Sequence, residues 1–276
     1  MKKEEVKKVV REAYAKIAKK DGSCCPSASP CCGSADLREE VSKKIGYKDE
    51  ELTSVPEGAN LSLGCGNPIA LASLREGETV LDLGSGAGFD CFLAANKVGK
   101  KGKVIGVDMT PEMIEKARGN AQKGNYANVE FRLGEIESIP AADNSADVVI
   151  SNCVINLSPD KRRVFREAFR VLAPGGRLMV SDIVLLKKLP AFLRNSVAGY
   201  VGCLSGAILK DEYVDAIKEA GFHDVRVIGE TSFPVEYMAN DPTAKALIEE
   251  INVPIESLKE IADSIVSISV EGKKTN

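Results

Sequence analysis

Short apolar runs and longer amphipathic stretches follow one another in turn from residue 78 onward. The short runs each predict a strand, at residues 79–83, 103–107, 129–133, 146–151, 177–182, 224–228 and 265–270. Apolar residues at helical spacing predict helices over 88–98, from Pro111 onward, from Ser158-Pro159 to a stop at Pro174-Gly175-Gly176, and over 211–220. Because strands that alternate with helices form sheets covered on both faces, we predict an α/β, Rossmann-like doubly wound fold with seven strands.

The first quarter of the chain departs from this alternation. Residues 3–19 carry apolar side chains at helical spacing and predict an amphipathic helix that docks on the main domain. Residues 20–36 are rich in proline, serine, glycine and cysteine, and predict a loop that builds no core. We therefore divide the chain into a helix, Cys-rich loop and lead-in segment at 1–75 and a main domain at 76–276, with a substrate-side insertion at 186–208 and a helical insertion at 232–262.

Composition and charge exclude several classes of function. Of the 276 residues, 44% are hydrophobic and 28% charged, which is typical of a globular protein. Since 37 basic residues face 40 acidic ones, giving a net charge of −3, we expect no nucleic-acid partner. The sequence has neither an apolar membrane span nor a signal-peptide pattern at its charged N-terminus. We expect a cytoplasmic protein with no membrane partner.

A glycine-rich turn joins the first predicted strand to the helix that follows. It reads Asp82-Leu83-Gly84-Ser85-Gly86-Ala87-Gly88. Such a turn is a general nucleotide site, because glycines let the backbone approach a ligand and the helix start supplies N–H donors. The dinucleotide pattern G-x-G-x-x-G would need a third glycine at position 89, where Phe89 stands. An NAD-dependent dehydrogenase therefore remains the less favoured alternative.

The turn resembles motif I of class I methyltransferases, in which the loop wraps the methionine part of S-adenosylmethionine. By this resemblance, Asp108 would accept hydrogen bonds from both ribose hydroxyls, and Glu135 would face the adenine amino group with Ile136 against the ring. Asn152 would lie beside the amino-acid end of the cofactor, and Pro174-Gly175-Gly176 resembles the turn before the fifth strand of these enzymes. The implied cofactor residues are Asp82, Gly84, Ser85, Gly86, Gly88, Asp108, Met109, Glu135, Ile136 and Asn152.

Eight cysteines and a single histidine are the unusual counts of this chain. In a reducing compartment so many cysteines suggest metal ligands or reactive thiols. Cys153 follows the fourth predicted strand, Cys203 lies in the 186–208 insertion, and Cys65 precedes the first strand in a glycine-rich setting. Taken singly, each of these cysteines is better explained as a small buried apolar residue than as a ligand, and only their joint placement favours a ligand role. His223 follows a glycine that closes a helix, and we expect a surface or turn position.

Together, the segments 82–90, 151–157 and 202–209, with Cys65, resemble the arsenite methyltransferase family. The resemblance covers most of residues 1–230 and implies that Cys153 and Cys203 hold trivalent arsenic, with Cys65 as a third ligand or exchange thiol. It also implies one functional cysteine near the N-terminus, and among Cys24, Cys25, Cys31 and Cys32 we favour Cys32. An external thiol reductant, of thioredoxin or glutathione type, is the expected partner.

The chemistry agrees with these residue types. Trivalent arsenic is soft and so are thiolates, and three thiols would leave a pyramidal centre whose lone pair can attack a sulfonium methyl without a general base. Two other functions remain open: a quinone- or sterol-type C/O-methyltransferase, and a non-catalytic protein that binds thiophilic metals. For Cys91 we favour core packing over a redox relay, and for the N-terminal cysteine doublets a mobile capturing or redox loop over a zinc site.

Overall fold

Seven strands form one sheet in the order β3-β2-β1-β4-β5-β7-β6. The structure, a computed structural model, describes residues 3–19, 42–43, 45–67, 73–190, 193, 200, 203–232 and 263–275. The strands are β1 (Thr79–Leu83), β2 (Lys103–Asp108), β3 (Val129–Leu133), β4 (Ala146–Asn152), β5 (Leu172–Leu185), β6 (His223–Ser232) and β7 (Ile265–Lys273). Strands β1 to β5 pair in parallel and β7 pairs antiparallel with both β5 and β6. The predicted α/β fold and its seven strands are confirmed.

Helices cover both faces of this sheet. They are α1 (Lys3–Lys19), α2 (Asp49–Thr53), α3 (Phe89–Val98), α4 (Pro111–Lys123), α5 (Lys161–Val171) and α6 (Lys210–Glu219), with a 3₁₀ turn at Ile155–Leu157. Side chains alternate across each strand, so Val80 packs with α3 and α4 while Leu81 packs with α5 and α6. In sheets of this kind, ligands bind at the carboxyl edge of the parallel strands.

Two element boundaries differ from the sequence prediction. Helix α5 begins at Lys161 rather than at Ser158, because the Asp160 side chain accepts the backbone N–H of Arg163 and caps the helix. Strand β5 begins at Leu172 and includes Pro174-Gly175-Gly176, which was predicted as a turn. There the N–H of Gly175 donates to Lys274 O and the N–H of Lys274 donates to Gly176 O, so the end of the chain pairs with this segment.

Helix α1 lies at the ligand edge of the sheet and contacts α4. Its Val6 and Val10 are buried in the same apolar cluster as Cys153. Cations stand beside these apolar residues, and Lys7 Nζ lies 2.6 Å from Glu135 Oε2 while Arg11 Nη2 lies 3.4 Å from Glu135 Oε1. The predicted docking helix is thus held by apolar burial and by ion pairs.

Some predictions fall on residues that the structure does not describe. Those are the four N-terminal cysteines, including Cys32, much of the 186–208 insertion, and all of the 232–262 segment except Ser232. The division into 1–75 and 76–276 stays a prediction. Among the helices in the described ranges, none is both long and apolar enough to cross a membrane.

Candidate active site

A cavity opens at the carboxyl ends of β1, β2 and β4. It contains about 1080 Å³ of empty space, part of it open to solvent, which is sufficient for a ligand of nucleoside size. All the sequence-predicted cofactor residues except Gly88 and Glu135 line it. Helix α1 contributes Lys7, Val10 and Tyr14 to one wall. The parallel topology explains the convergence, since it brings the ends of successive strands to one edge.

The glycine turn can adopt its backbone conformation only because its glycines have no side chains. Gly84 has a φ of 73° and Gly88 a φ of 96°, both in the left-handed region. A Cβ on Gly84 would lie 2.8 Å from Val154 Cβ, and one on Gly88 would lie 2.7 Å from Phe131 Cζ. The N–H groups of Gly84 and Ser85 donate to Val107 O, and that of Gly88 donates to Ser85 O, so the turn is held against the end of β2 beside the cavity.

Two carboxylates face this turn from the strands below it. Asp108 Oδ2 accepts the N–H of Gly86 at 3.0 Å and its Oδ1 accepts the N–H of Thr110 at 2.8 Å. Burial raises the pKa of Asp108, and those backbone donors oppose the rise. Burial and the neighbouring Asp90 raise the pKa of Asp82 well above its ordinary value. Both carboxylates are thus held out of water and suited to accept hydrogen bonds from a polar ligand.

The residues present fit a nucleoside-type cofactor. Ser85 Oγ is buried and has no hydrogen-bond partner in the described part of the chain, although it lines the cavity. A buried hydroxyl without a partner is costly unless a ligand satisfies it. The half-buried carboxylate of Asp108, which lines the cavity, adds an acceptor of the kind that ribose hydroxyls require.

Glu135 is placed differently from its predicted role at the adenine. Its carboxylate pairs with Lys7 and Arg11 of α1, and Glu135 does not line the cavity, whereas Gly134, Ile136 and Glu137 do. Lys7 Nζ also lies 3.7 Å from Glu137 Oε1. Burial lowers the pKa of Lys7, whereas the hydrogen bond to Glu135 and the charge of Glu137 raise it. The raising effects are together the larger, so the pKa of Lys7 lies above its ordinary value. In the folded protein, the ion pairs of Glu135 thus hold α1 in place.

Three thiols meet beside the cavity. Cys65, Cys153 and Cys203 are each about 5% exposed and belong to one buried cluster. Cys203 Sγ donates to Cys153 O at 3.2 Å, and the thiol of Cys153 is within hydrogen-bonding contact of the other two thiols. Of the three, only Cys153 lines the cavity. The structure therefore brings the three sequence-predicted thiols together, although 138 residues separate the outermost pair in the sequence.

The backbone at two of these cysteines is in an uncommon conformation. Cys153 has a φ of 58° and Cys203 a φ of 63°, the left-handed region that costs a non-glycine residue about 1–2 kcal/mol. The N–H of Cys153 donates to Ser181 O at 2.8 Å, which holds the residue in place at the end of β4. Hydrogen bonds with the Cys203 and Cys65 thiols, and then burial, raise the pKa of Cys153 well above its ordinary value. The Cys153 thiol is therefore protonated until a ligand displaces its proton.

Asn152 joins the cavity to the thiol cluster. Its Oδ1 accepts the N–H of Cys65 at 2.9 Å, and its Nδ2 donates to Gly66 O at 2.6 Å and to Tyr47 Oη at 2.8 Å. Tyr47 in turn donates to Asp90 Oδ1 at 2.6 Å. The amide next to Cys153 in the chain thus fixes the segment that carries Cys65.

Sequence reasoning missed several members of this site. Tyr47 carries no recognisable pattern, but Asp90 is an acidic residue in an apolar helix turn and Asp182 lies inside the apolar run of β5, both of which are unusual placements. Asp182 is 1% exposed, and one of its carboxylate oxygens lies within 4.8 Å of the Cys65 and Cys153 sulfurs. Burial raises its pKa to about 7, while Lys161 opposes the rise. Burial lowers the pKa of Lys161 to about 8.

Two further residues lie away from this cluster. Cys91 is fully buried in the other apolar cluster, between α3 and the sheet, and its Sγ donates to Asp82 Oδ2 at 3.2 Å. This agrees with the core-packing interpretation. His223, at the start of β6, is exposed, as expected.

Comparison with known proteins places this site in a family. A family described as a methyltransferase domain matches residues 74–221. An arsenite methyltransferase of Halobacterium salinarum is 50% identical over 81% of this chain and 59% of its own length. One from Aquipseudomonas alcaligenes is 38% identical over 79% of this chain and 62% of its own length. The chain thus spans about 60% of the length of these curated relatives.

A solved structure agrees with these relatives. An arsenic(III) S-adenosylmethionine methyltransferase from Chlamydomonas reinhardtii is 33% identical and superimposes with a TM-score of 0.62, covering 88% of this chain and 74% of that one. The match therefore covers more than two thirds of that protein. We conclude that this chain belongs to the arsenite methyltransferase family of S-adenosylmethionine-dependent methyltransferases.

Proposed function

We propose that this protein transfers the methyl group of S-adenosylmethionine to trivalent arsenic bound by Cys65, Cys153 and Cys203. The substrate would be arsenite and then methylarsenite, and the result arsenic detoxification. One observation carries the proposal: Cys153 lines the cofactor cavity, its sulfur lies within 4.8 Å of the Cys65 sulfur, and the Cys203 thiol donates to its backbone oxygen. A metalloid held by the three sulfurs would therefore border the cavity in which the methyl donor binds.

Binding of arsenite needs no general base. Each hydroxyl of arsenite leaves as water with the proton of the thiol that replaces it, so three thiols and arsenite give a neutral tris-thiolate and three waters. This suits thiols that burial keeps protonated, as at Cys65. The bound arsenic keeps a lone pair opposite its three sulfurs, and orientation of that lone pair is the main task of the protein.

When bound, S-adenosylmethionine supplies an electrophilic methyl group on a positively charged sulfur. The unpartnered Ser85 hydroxyl would bind the amino-acid end, and Asp108 would accept hydrogen bonds from the ribose. Lys7, Val10 and Tyr14 of α1 would cover the cavity and exclude water. Asn152 would keep Cys65 at a constant position relative to this cavity through its hydrogen bond to the Cys65 N–H.

Turnover would also consume reducing equivalents. We propose that an external thiol reductant, of thioredoxin or glutathione type, returns the cysteines to the thiol form, and that Cys32 takes part. The reaction needs reduced thiols, a condition that the cytoplasm provides. Omission of the reductant should limit methylation to about one turnover, which a time course measures directly.

The central experiment incubates the full chain with labelled S-adenosylmethionine, a thiol reductant and arsenite, and separates methylated arsenic by chromatography. We expect Cys153→Ser and Cys203→Ser each to lower turnover at least about 100-fold, because a displaced centre misses the methyl donor. Cofactor affinity should stay nearly unchanged. Cys91→Ser, which keeps a donor next to Asp82, is the matched control and should retain methylation.

The rival functions give different results in this assay. Methylation of a quinone but not of arsenite would favour a C/O-methyltransferase of quinone or sterol type. Tight arsenite binding with no methylated product would favour a sequestering protein. Full activity of Cys153→Ser or Cys203→Ser would refute the assigned ligands.

A further inference from the structure

We propose that the thiol cluster also binds a soft divalent cation such as Zn²⁺ or Cd²⁺, with the Asp182 carboxylate as an additional ligand. Cys65 and Cys153 would supply two sulfurs and Cys203 the fourth donor. The cation would compete with arsenic for the same thiols. This inference goes beyond methyl transfer, because cation binding needs neither the cofactor nor turnover.

The distances support a cation site at this position. One ligand atom each from Cys65, Cys153 and Asp182 lies within 4.8 Å of the other two, and all three residues are buried. In a tetrahedral zinc centre with bonds of about 2.0–2.3 Å, ligand atoms are roughly 3.5 Å apart. Small changes in side-chain torsions would therefore close the site. Cys203 Sγ lies 3.2 Å from Cys153 O, and a change of its side-chain torsion would bring it to the cation as the fourth donor.

The Asp182 carboxylate is held as metal-ligating carboxylates usually are. Its Oδ1 accepts from Asn156 Nδ2 at 2.8 Å and from the N–H of Ile183 at 3.0 Å, and its Oδ2 accepts from Tyr213 Oη at 3.0 Å. Such outer hydrogen bonds orient a ligand before the cation arrives. Oδ2 has one hydrogen-bond donor in the described part of the chain, so it keeps capacity for a second interaction.

Lys161 lies near this carboxylate and balances part of the charge. Its Nζ donates to Asn156 O at 3.2 Å and to Ser158 O at 3.0 Å, and its charge acts on Asp182 and Cys203. A cation bound by two or three thiolates and a carboxylate leaves a net negative centre. A neighbouring ammonium group lowers the cost of burying that charge.

Arsenic and a divalent cation make different demands on this donor set. Trivalent arsenic is satisfied by three sulfurs, and its lone pair is directed at the cofactor cavity, so it needs no carboxylate ligand. Zn²⁺ and Cd²⁺ have no such lone pair and take four donors, including carboxylate oxygen as well as sulfur. Each thiol that becomes a ligand releases its proton to solvent. Asp182 is therefore required for cation affinity and dispensable for arsenic binding.

The test uses the full chain with serine at Cys24, Cys25, Cys31 and Cys32, so that the N-terminal doublets cannot bind the metal. Cadmium is titrated, and the thiolate-to-cadmium absorption in the ultraviolet and equilibrium dialysis report binding. We expect one Cd²⁺ per chain, displaced by one equivalent of arsenite. Asp182→Asn should raise the cadmium Kd at least about 10-fold, with arsenite affinity changed much less.

Two controls keep the result independent of folding defects. Asp147→Asn removes another carboxylate of the sheet, whose Oδ2 accepts the N–H of Thr79, and should change neither affinity. X-ray absorption on zinc-loaded protein with Asp182 intact should find one oxygen at about 2.0–2.2 Å beside sulfurs at about 2.3 Å. This second measurement does not depend on whether Asp182→Asn folds.

Several results would overturn the inference. One is an Asp182→Asn variant that binds cadmium as tightly as the protein with Asp182 intact. The others are simultaneous binding of cadmium and arsenite, and zinc that is surrounded by sulfur alone. Arsenite methylation without cadmium binding would overturn this inference and leave the proposed function intact. If the protein bound cadmium but did not methylate arsenite, this inference would be supported and only the proposed function would fail.

Discussion

Gly64 lies directly against the amide of Asn152, and a methyl group at this position would disturb the link between the cofactor cavity and the thiols. A Cβ on Gly64 would lie 2.9 Å from Asn152 Cγ and closer still to its Nδ2. The amide cannot move aside easily, because it accepts the N–H of Cys65 and donates to Gly66 O and Tyr47 Oη. Gly64→Ala should therefore force the Cys65 segment away from the sheet.

The expected magnitude follows from these contacts. Inserting a methyl group into a packed site costs about 1–3 kcal/mol, and each buried hydrogen bond that breaks without replacement costs a further ~1–3 kcal/mol. We expect Gly64→Ala to lower the free energy of unfolding by about 3 kcal/mol. In an Asn152→Ala background the methyl group meets no amide, so the same change should cost less than ~1 kcal/mol.

Urea unfolding of the four proteins in this double-mutant cycle measures the coupling energy between Gly64 and Asn152. Unfolding is followed by circular dichroism, because the chain has no tryptophan. We expect a coupling energy of about 2 kcal/mol between the two positions. Arsenite affinity, followed by the arsenic–thiolate absorption, should fall in Gly64→Ala because Cys65 moves away from Cys153. Cofactor affinity should fall less. Equal costs of Gly64→Ala in both backgrounds would refute the reasoning.

Three further predictions concern other parts of the fold. Gly88→Ala should abolish cofactor binding and destabilise the protein, because the added Cβ would meet Phe131. In Gly86→Ala the new Cβ meets no atom within 4 Å, so the change should cost only about 1–2 kcal/mol of left-handed strain. Calorimetric titration with S-adenosylmethionine compares the two variants, and similar losses of cofactor affinity in both would contradict the prediction. Gly119→Ala, inside α4 with no neighbour within 4 Å of the new Cβ, should raise the free energy of unfolding by roughly 0.5–1 kcal/mol in urea melts, and any loss of stability would count against it. Burial raises the pKa of Asp90 to about 6, so its contribution to stability is fully present below pH 3.8 and is lost as the pH rises through about 6. The stability of the wild type relative to Asp90→Asn should therefore fall by up to about 3 kcal/mol from pH 4 to pH 7, and a difference that does not change with pH in urea melts would disprove this.

Much of the fold was predictable from local pattern. The strand and helix sequence from Thr79 to Glu219 depends on hydrophobic periodicity and on caps, which act over a few residues. The exceptions are boundaries set by distant contacts. Strand β5 extends back to Leu172 because the end of the chain pairs with Gly175 and Gly176, and no local property of Pro174-Gly175-Gly176 indicates that pairing.

The candidate site divides in the same way. Residues at the ends of strands, such as Asp108 and Asn152, could be predicted to meet because parallel strands bring their carboxyl ends to one edge. The role of Glu135 could not be predicted, since its partners Lys7 and Arg11 lie in a helix more than a hundred residues away. Tyr47 was missed for the same reason.

For this protein, then, the sequence by itself determined the order of the elements, the glycine turn and the presence of thiols at the ligand edge, because these depend on the spacing of residues along one segment. Only the tertiary structure decided that Cys153 faces the cavity while Cys65 and Cys203 lie behind it, and that a buried carboxylate, Asp182, adjoins the thiols. The physical reason is that burial and distance between segments depend on how the loop at 64–67, the end of β4 and the segment around Cys203 pack together. That packing is a property of the folded chain and is not encoded in any one of the three segments.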